Sequence, residues 1–439
     1  MHIEQISQLE HALDDFDRSV RRRALERLVE LARKHNLLPA TPRPIVNLHV
    51  HTFFSYNAYG YSPSKFAWLA RKNGLAVAGV VDFDVLDALD EFTEAGRLLG
   101  LKTCVSVESR VYVPEFADRV INSPGEPGIA YHMGVGFTSA NLSGFAAEYL
   151  AGMRRTAAQR NRELMQRVNA FMRPVELDYE RDVLCLTPGG NATERHICEA
   201  YVRKAEKMFP DPAARAAFWK SKLGDCPAEP DKLQALLRAK TMKRGGVGYV
   251  QPGKGSFPVM AEMNRFVLES GAIPTLAWLD GTSDGERCIE ELIRVARATG
   301  VAAINIIPDR NFTPGVKDQK LQNLHDVIAL AERYQFPIIV GTEMNAPGNK
   351  FVDSFDAAEL KPFVPIFLKG AYIAYAHSVL QRQSGFGYLS DWAKRHFNST
   401  AAKNAFYEQL GSRLVPAHEE RLANLPPDTT PDTILARAE

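Results

Sequence analysis

The sequence predicts an α/β fold: a parallel sheet of seven strands, covered by helices on both faces and able to close into a barrel. Three observations carry this reading. Seven short apolar runs alternate with longer segments of helical spacing. The runs are nearly continuous in Val, Ile and Ala, the mark of strands buried on both faces. Glycine follows several helical segments, at Gly74, Gly100, Gly271 and Gly300, where glycine serves as a helix stop signal.

Residues 3–35 place Ile6, Leu9, Leu13 and Phe16, then Leu25, Leu28, Val29 and Ala32, at helical spacing. They read as one or two amphipathic helices, ended by the proline-rich "LPATPRP" at 38–44. Strands are expected at 45–50, 75–82, 102–108, 128–137, 272–278, 301–307 and 336–342. Helices are expected at 62–73, 84–99, 257–270, 284–299 and 317–334. The organisation is therefore an N-terminal helical extension (1–44), a barrel in two pieces (45–139 and 246–352), a helical insertion capping the strand ends (140–245) and a C-terminal helical extension (353–439). "NLPPDTTPD" near the terminus reads as mobile.

Composition narrows the function. The chain has 439 residues, 45% hydrophobic and 24% charged, with a formal net charge of +1. That is an ordinary globular balance with no global field for nucleic acid or an anionic membrane. No apolar run approaches ~18 residues, so no membrane span is expected. The opening "MHIEQISQLEHALDDFDRS" is polar and acidic, unlike a secretory signal. Five scattered cysteines form no Cys-x-x-Cys pair, which argues against a thiolate zinc site or a disulfide framework. A cytoplasmic protein with a small-molecule partner is expected, its oligomeric state open.

Chemistry in parallel barrels sits at the C-terminal ends of strands. The first strand ends "IVNLHVHTFFSYNAYGYSP", and residues two apart in a strand share a face, so His49 and His51 point the same way. The second strand ends in Asp82, the third in Glu108; the fourth carries His132; the seventh ends in Gly341-Thr342-Glu343-Met344-Asn345. Each alone has a bland reading as a cap, a surface ion pair or a satisfied core histidine. Together they converge, and mixed imidazole and carboxylate donors suit Zn, Mn or Fe.

This series resembles the polymerase and histidinol phosphatase (PHP) superfamily, metal-dependent phosphoesterases on a distorted (β/α)7 barrel. The matching pieces run in one order over about residues 45–350: His49-Val50-His51-Thr52-Phe53-Phe54-Ser55, then "GLAVAGVVDFD", Ser106-Val107-Glu108, His132-Met133-Gly134, Thr193-Glu194-Arg195-His196-Ile197, "GVGYVQPGKGSFP" and Gly341-Thr342-Glu343-Met344-Asn345. The resemblance implies a tight metal site from His49, His51, Glu108 and Glu343, with Glu343 where the family has Asp. His132 with Glu108 is what remains of a second, weaker site, because Trp278 replaces its other histidine. Phe83 and Asn345 replace the histidines of a third, and Tyr56 stands where the first motif has Asp.

The implied activity is a metal-dependent hydrolase, most naturally a phosphoesterase acting on a nucleotide or sugar phosphate through metal-activated water. The alternatives are a non-catalytic ligand-binding module on the same barrel and a non-hydrolytic metal enzyme. Asp82 and His196 are the general acid/base candidates. Arg110, Arg195, Lys254 and Arg310 are candidate anion contacts, Arg by its fork geometry and Lys as a point charge. Trp278, as an apolar wall, and Asn345 complete the expected substrate side.

Overall fold

A computed structural model gives the fold and describes residues 2–252, 255–312 and 315–439. Strands β1 (Val46–Val50), β2 (Val77–Phe83), β3 (Lys102–Tyr112), β4 (Ile129–Val135), β5 (Ile273–Trp278), β6 (Ala303–Ile306) and β7 (Ile338–Val340) pair in that order in one sheet. Just past β7, Glu343 bridges to Val50 of β1. There the Glu343 N–H donates to the His49 carbonyl at 2.7 Å and the His51 N–H to the Glu343 carbonyl at 2.9 Å. The result is a mixed, nearly closed seven-stranded barrel flanked by helices, a distorted (β/α)7 barrel with additional helices.

The strands lie where the apolar runs place them, with one correction. β4 runs antiparallel to both β3 and β5, whereas an all-parallel sheet was expected. A parallel return needs a crossover, usually a helix. Between β3 and β4, residues 113–128 form a loop whose only helix is the three-residue turn Pro114–Phe116, so no crossover helix carries the chain back and β4 returns in the opposite direction.

The barrel's two mouths are closed differently. Helix Val364–Ser384 lies across the N-terminal ends of the strands. Gly370 there packs so closely that a Cβ would meet the Ile338 carbonyl oxygen at 1.9 Å. Contrary to the sequence expectation, the segment Lys361–Ser384 is long and apolar enough to cross a membrane by length and composition. It is instead a core helix: Phe367, Ala371, Ile373, Ala374, Val379 and Leu380 are buried in the barrel's main apolar core. Helix Thr400–Arg413 packs on its other side. The late segment expected to be mobile is docked as well. The Trp392 indole donates to the Thr429 carbonyl at 2.9 Å, and the Leu425 N–H to Ser384 Oγ at 2.9 Å.

Above the C-terminal ends sits the region between β4 and β5. Helices Gly144–Met172, Glu194–Met208, Pro212–Leu223 and Pro230–Thr241 share a second apolar core that includes Val168, Ile197, Tyr201, Trp219 and Leu237. Asn191 ties this region to the barrel by donating to the Phe83 carbonyl at 2.8 Å and the Phe54 carbonyl at 3.3 Å. At the other flank, helix Arg18–His35 is fixed by a buried pair, Arg21 to Glu91 of helix Leu89–Leu99.

Candidate metal centre

His49 and His51 sit at the end of β1, and Glu108 is drawn alongside by the β2–β3 register, which pairs Phe83 with Glu108. All three are buried, the histidines at 1% and 0% exposure. One ligand atom from each lies within 4.8 Å of the other two. Gly341 permits the closeness of β7 to β1: a Cβ on it would meet the His49 backbone nitrogen at 2.4 Å.

The outer nitrogens define the tautomers. His49 Nδ1 lies 3.1 Å from Asn305 Oδ1, an oxygen that can only accept, so Nδ1 carries the proton. Asn305 is itself oriented by its amide N–H donating to the Ile339 carbonyl at 3.1 Å. His51 Nδ1 lies 3.1 Å from Ser55 Oγ. The Ser55 hydroxyl proton is committed to Asp82 at 2.6 Å, so His51 Nδ1 is again the donor. Both Nε2 atoms then present lone pairs. They lie 3.6 Å (His49) and 3.2 Å (His51) from Glu108 Oε2, and neither has a hydrogen-bond partner. Two lone pairs and a carboxylate oxygen converging in a dry interior repel one another. A bound cation relieves all three at once, and this donor set fits a divalent metal of the Zn, Mn or Fe type.

Without a cation, the same convergence is relieved by charge on the imidazole side beside an ionised carboxylate. Burial pushes the Glu108 carboxyl up, but the two imidazoles outweigh it and hold the group well below the usual carboxylate range. Burial likewise pushes His49 down, and Glu108, then Glu343 and Asn305, reverse the sign and raise it.

The other expected site residues fall into distinct places. Asp82 is buried and accepts from Thr52 N–H (2.8 Å), Thr52 Oγ1 (2.7 Å) and Ser55 Oγ. Burial raises its pKa despite those bonds. It organises the loop after β1 and acts on His51 through Ser55. His132 does not join the triad. Its Cα opposes Ser109, the neighbour of Glu108, so it faces the other side of the sheet and its Nε2 meets Asn264 Oδ1 at 2.6 Å. Met133, opposite Glu108, points to the interior instead. Trp278 shares the face of Leu276, which opposes His132, and is buried in the main core. Phe83 covers His51, their ring centroids 4.4 Å apart.

Glu343 is turned to Arg310, whose Nη2 lies 3.1 and 3.2 Å from its two oxygens. Glu343 and Met344 both hold left-handed backbone, φ 64° and 52°, and Asn345 follows half-buried in the same loop. His196 takes up a capping role: the Thr193 N–H donates to its Nδ1 at 3.1 Å, and burial holds the ring down at about 4. Its ring meets Tyr56 edge-on at 5.2 Å, beside the loop that follows the β1 histidines. Arg195 stands 5.9 Å from the same Tyr56 ring. Lys254 lies outside the described residues.

Sequence reasoning noted Asn305 at a strand end and Ser55 in the first motif without giving either a role, and missed Arg160. An Asn inside the otherwise apolar "AAINII" was the available signal for the first. Arg160, on the long helix Gly144–Met172, gave none. Its guanidinium lies 4.7 Å from the Phe257 ring, and Arg110, two residues beyond Glu108, lies 4.3 Å from the same ring. Arg110 pairs with Glu126 at 3.0 Å, while Arg160 and Arg195 have no carboxylate ion pair among the described residues. Arg238 and Lys243 share Glu194 at 2.8 and 2.7 Å. Cations thus gather where the helical region meets the barrel's C-terminal mouth.

No protein-family model matches the chain, and no curated protein matches it. Solved structures similar to it include an amidohydrolase from Chromobacterium violaceum with bound sulfate and no metal, at 18% identity and TM-score 0.48, covering 69% of this chain and 88% of that one. Another is a proposed metal-dependent phosphoesterase from Bifidobacterium adolescentis, at 18% identity and TM-score 0.47, covering 75% of this chain and 97% of that one. The likeness is distant, and the functional reading rests on this chain's own residues.

Proposed function

We propose that the protein is a metal-dependent hydrolase, with a small phosphorylated molecule such as a nucleotide or sugar phosphate as substrate. The observation that carries the reading is the pair of buried histidines with unpartnered Nε2 atoms converging on an ionised carboxylate. His49, His51 and Glu108 would hold the cation. A divalent cation there supplies Lewis acidity and lowers the pKa of a water ligand from ~15.7 toward ~7. Asn305 and Ser55 keep both imidazoles in the one tautomer that leaves Nε2 free. Phe83 and Met133 exclude bulk water from the triad, which strengthens charge interactions within it. Arg110, Arg160 and Arg195 raise the local concentration of anions and favour a phosphoryl group over a neutral ester.

The test is hydrolysis of a panel of phosphomonoesters and phosphodiesters by protein supplied separately with Zn, Mn and Fe. The expected result is turnover with at least one metal, lost by orders of magnitude in His51→Ala while the melting profile stays cooperative. Metal bound but no ester cleaved under any condition would favour a ligand-binding module or a non-hydrolytic metal enzyme.

A further inference from the structure

The mouth above the triad holds a phenol whose hydroxyl bonds to nothing. Tyr131 of β4 stands opposite Arg110 of β3, two residues beyond the pair Glu108–Met133. Side chains two apart share a face, so Tyr131 lies on the triad's side of the sheet, one pleat (roughly 7 Å) nearer the mouth. Its backbone is fixed: the Tyr131 N–H donates to Asn122 Oδ1 at 2.8 Å, and the Asn122 amide donates to the Ala277 carbonyl at the end of β5, also at 2.8 Å. Its ring centroid lies 6.5 Å from that of Phe83, the ring that covers His51. Charges act on the phenol from two sides, Arg110 and Glu108 of the barrel, Arg238 and Glu194 of the helical region. The hydroxyl therefore stands where the helical region meets the mouth, yet it makes no hydrogen bond among the described residues. The core tyrosines Tyr201, Tyr375, Tyr388 and Tyr407 each donate to a protein oxygen. Tyr149 and Tyr179 also have unbonded hydroxyls, but theirs are sealed in the interior, whereas Tyr131 is partly exposed.

We propose that Tyr131 is a substrate-binding residue of the centre: its neutral hydroxyl donates a hydrogen bond to a phosphoryl oxygen of the ester held over the triad, beside the positive charge of Arg110. This rests on the hydrolase reading given above and adds a residue to it. Phosphoryl oxygens only accept, and the phenol is a donor with no partner to give up, so the new bond replaces no old one. A donor held in place before the substrate arrives also needs no rearrangement as charge develops on those oxygens. Burial keeps the phenol protonated at neutral pH despite Arg110. Tyr131 transfers no proton and no bond is broken; it positions and stabilises.

The test is Tyr131→Phe, which keeps the ring and removes only the hydroxyl. Inorganic phosphate is titrated into the full-length protein loaded with zinc and freed of excess metal. The variant should bind phosphate about ten- to a hundredfold more weakly than wild type, the loss expected of a hydrogen bond to a charged group. Phosphoester turnover should fall at least as far. Zinc affinity, read by competition with a chelating dye, and the melting temperature should both stay at wild-type values, because the hydroxyl bonds to nothing in the fold. Phosphate affinity equal to wild type in a zinc-loaded Tyr131→Phe overturns the assignment and leaves the hydrolase reading standing. A phosphate loss accompanied by weaker zinc binding or a lower melting temperature makes Tyr131 a packing residue and overturns the assignment too. Wild type that binds no phosphate and cleaves no ester with Zn, Mn or Fe overturns the hydrolase reading itself, and the assignment with it.

Discussion

The barrel buries histidines at both mouths, and the two mouths are built to opposite ends. At the N-terminal mouth, His377 of the floor helix, Val364–Ser384, uses both nitrogens: Nε2 meets the Gly136 carbonyl at 3.1 Å and Nδ1 accepts the Tyr388 N–H at 2.9 Å. At the C-terminal mouth, His49 and His51 each use one nitrogen and leave the other bare beside Glu108. Burial is nearly the same in all three. His132 also leaves its Nδ1 unpartnered, yet it faces away from the triad, so what distinguishes a binding centre from a packed core is the convergence of leftover nitrogens on one carboxylate. A satisfied ring braces the fold; two half-satisfied rings aimed at one carboxylate keep a ligand position open at a cost in stability that a cation offsets.

The contrast can be broken most strongly at the carboxylate. Glu108→Gln removes the charge that makes the C-terminal mouth a candidate cation site, and divalent-metal affinity should fall by more than about a hundredfold, beyond the tenfold to hundredfold typical of outer partners. Competition titration against a chelating dye reads this directly. Asn305→Ala and Ser55→Ala act one step out. Each should lower metal affinity by about ten- to a hundredfold, since the imidazole loses its fixed tautomer, while the melting temperature moves little. At the floor the pattern inverts. Gly370→Val drives a side chain into the Ile338 carbonyl and should destabilise the fold by about 1–3 kcal/mol or more, with metal affinity per folded molecule unchanged. Denaturant melts and metal titrations on the same variant separate the two effects.

A smaller, pH-dependent difference sharpens the comparison further. Burial holds His377 down at about 4, against about 6.5 in an unfolded chain. A depressed pKa means that its contribution is fully present above about pH 6.5 and is lost as pH falls toward 4, because the unfolded state binds the proton first. His132, also at about 4, adds a loss of the same sign and over the same range. His377→Phe should flatten this part of the stability–pH curve, even though it lowers stability at pH 7 by leaving the Tyr388 N–H and the Gly136 carbonyl unpaired.

Much of the frame was legible in the sequence because strand and helix periods are local. The seven apolar runs and their glycine stops located every strand, and His-x-His put two imidazoles on one face by alternation alone. The direction of β4 was not legible, since an apolar run carries no sign; only the lack of a crossover before it decides. That reversal shifts the register at His132, which faces the helix Met260–Glu269 through Asn264 and away from the triad. Asp82 read as an acid/base candidate because it ends a strand, yet three donors from a neighbouring loop occupy it, a tertiary fact with no sequence period. The same holds for Glu343: its position next to the metal strand was readable, its engagement with Arg310 was not. The floor helix deceived in the other direction, its apolarity serving a core on one side and helix Thr400–Arg413 on the other.

The central claim is that the C-terminal mouth binds one divalent cation through His49, His51 and Glu108. The most direct measurement is elemental analysis of the full-length protein purified without chelator or affinity-column nickel and then supplied with Zn, Mn and Fe, alongside His51→Ala. The account predicts about one tightly held ion per wild-type chain and a large loss in the variant. No retained metal in wild type under any supplement, or equal metal in His51→Ala, would contradict it.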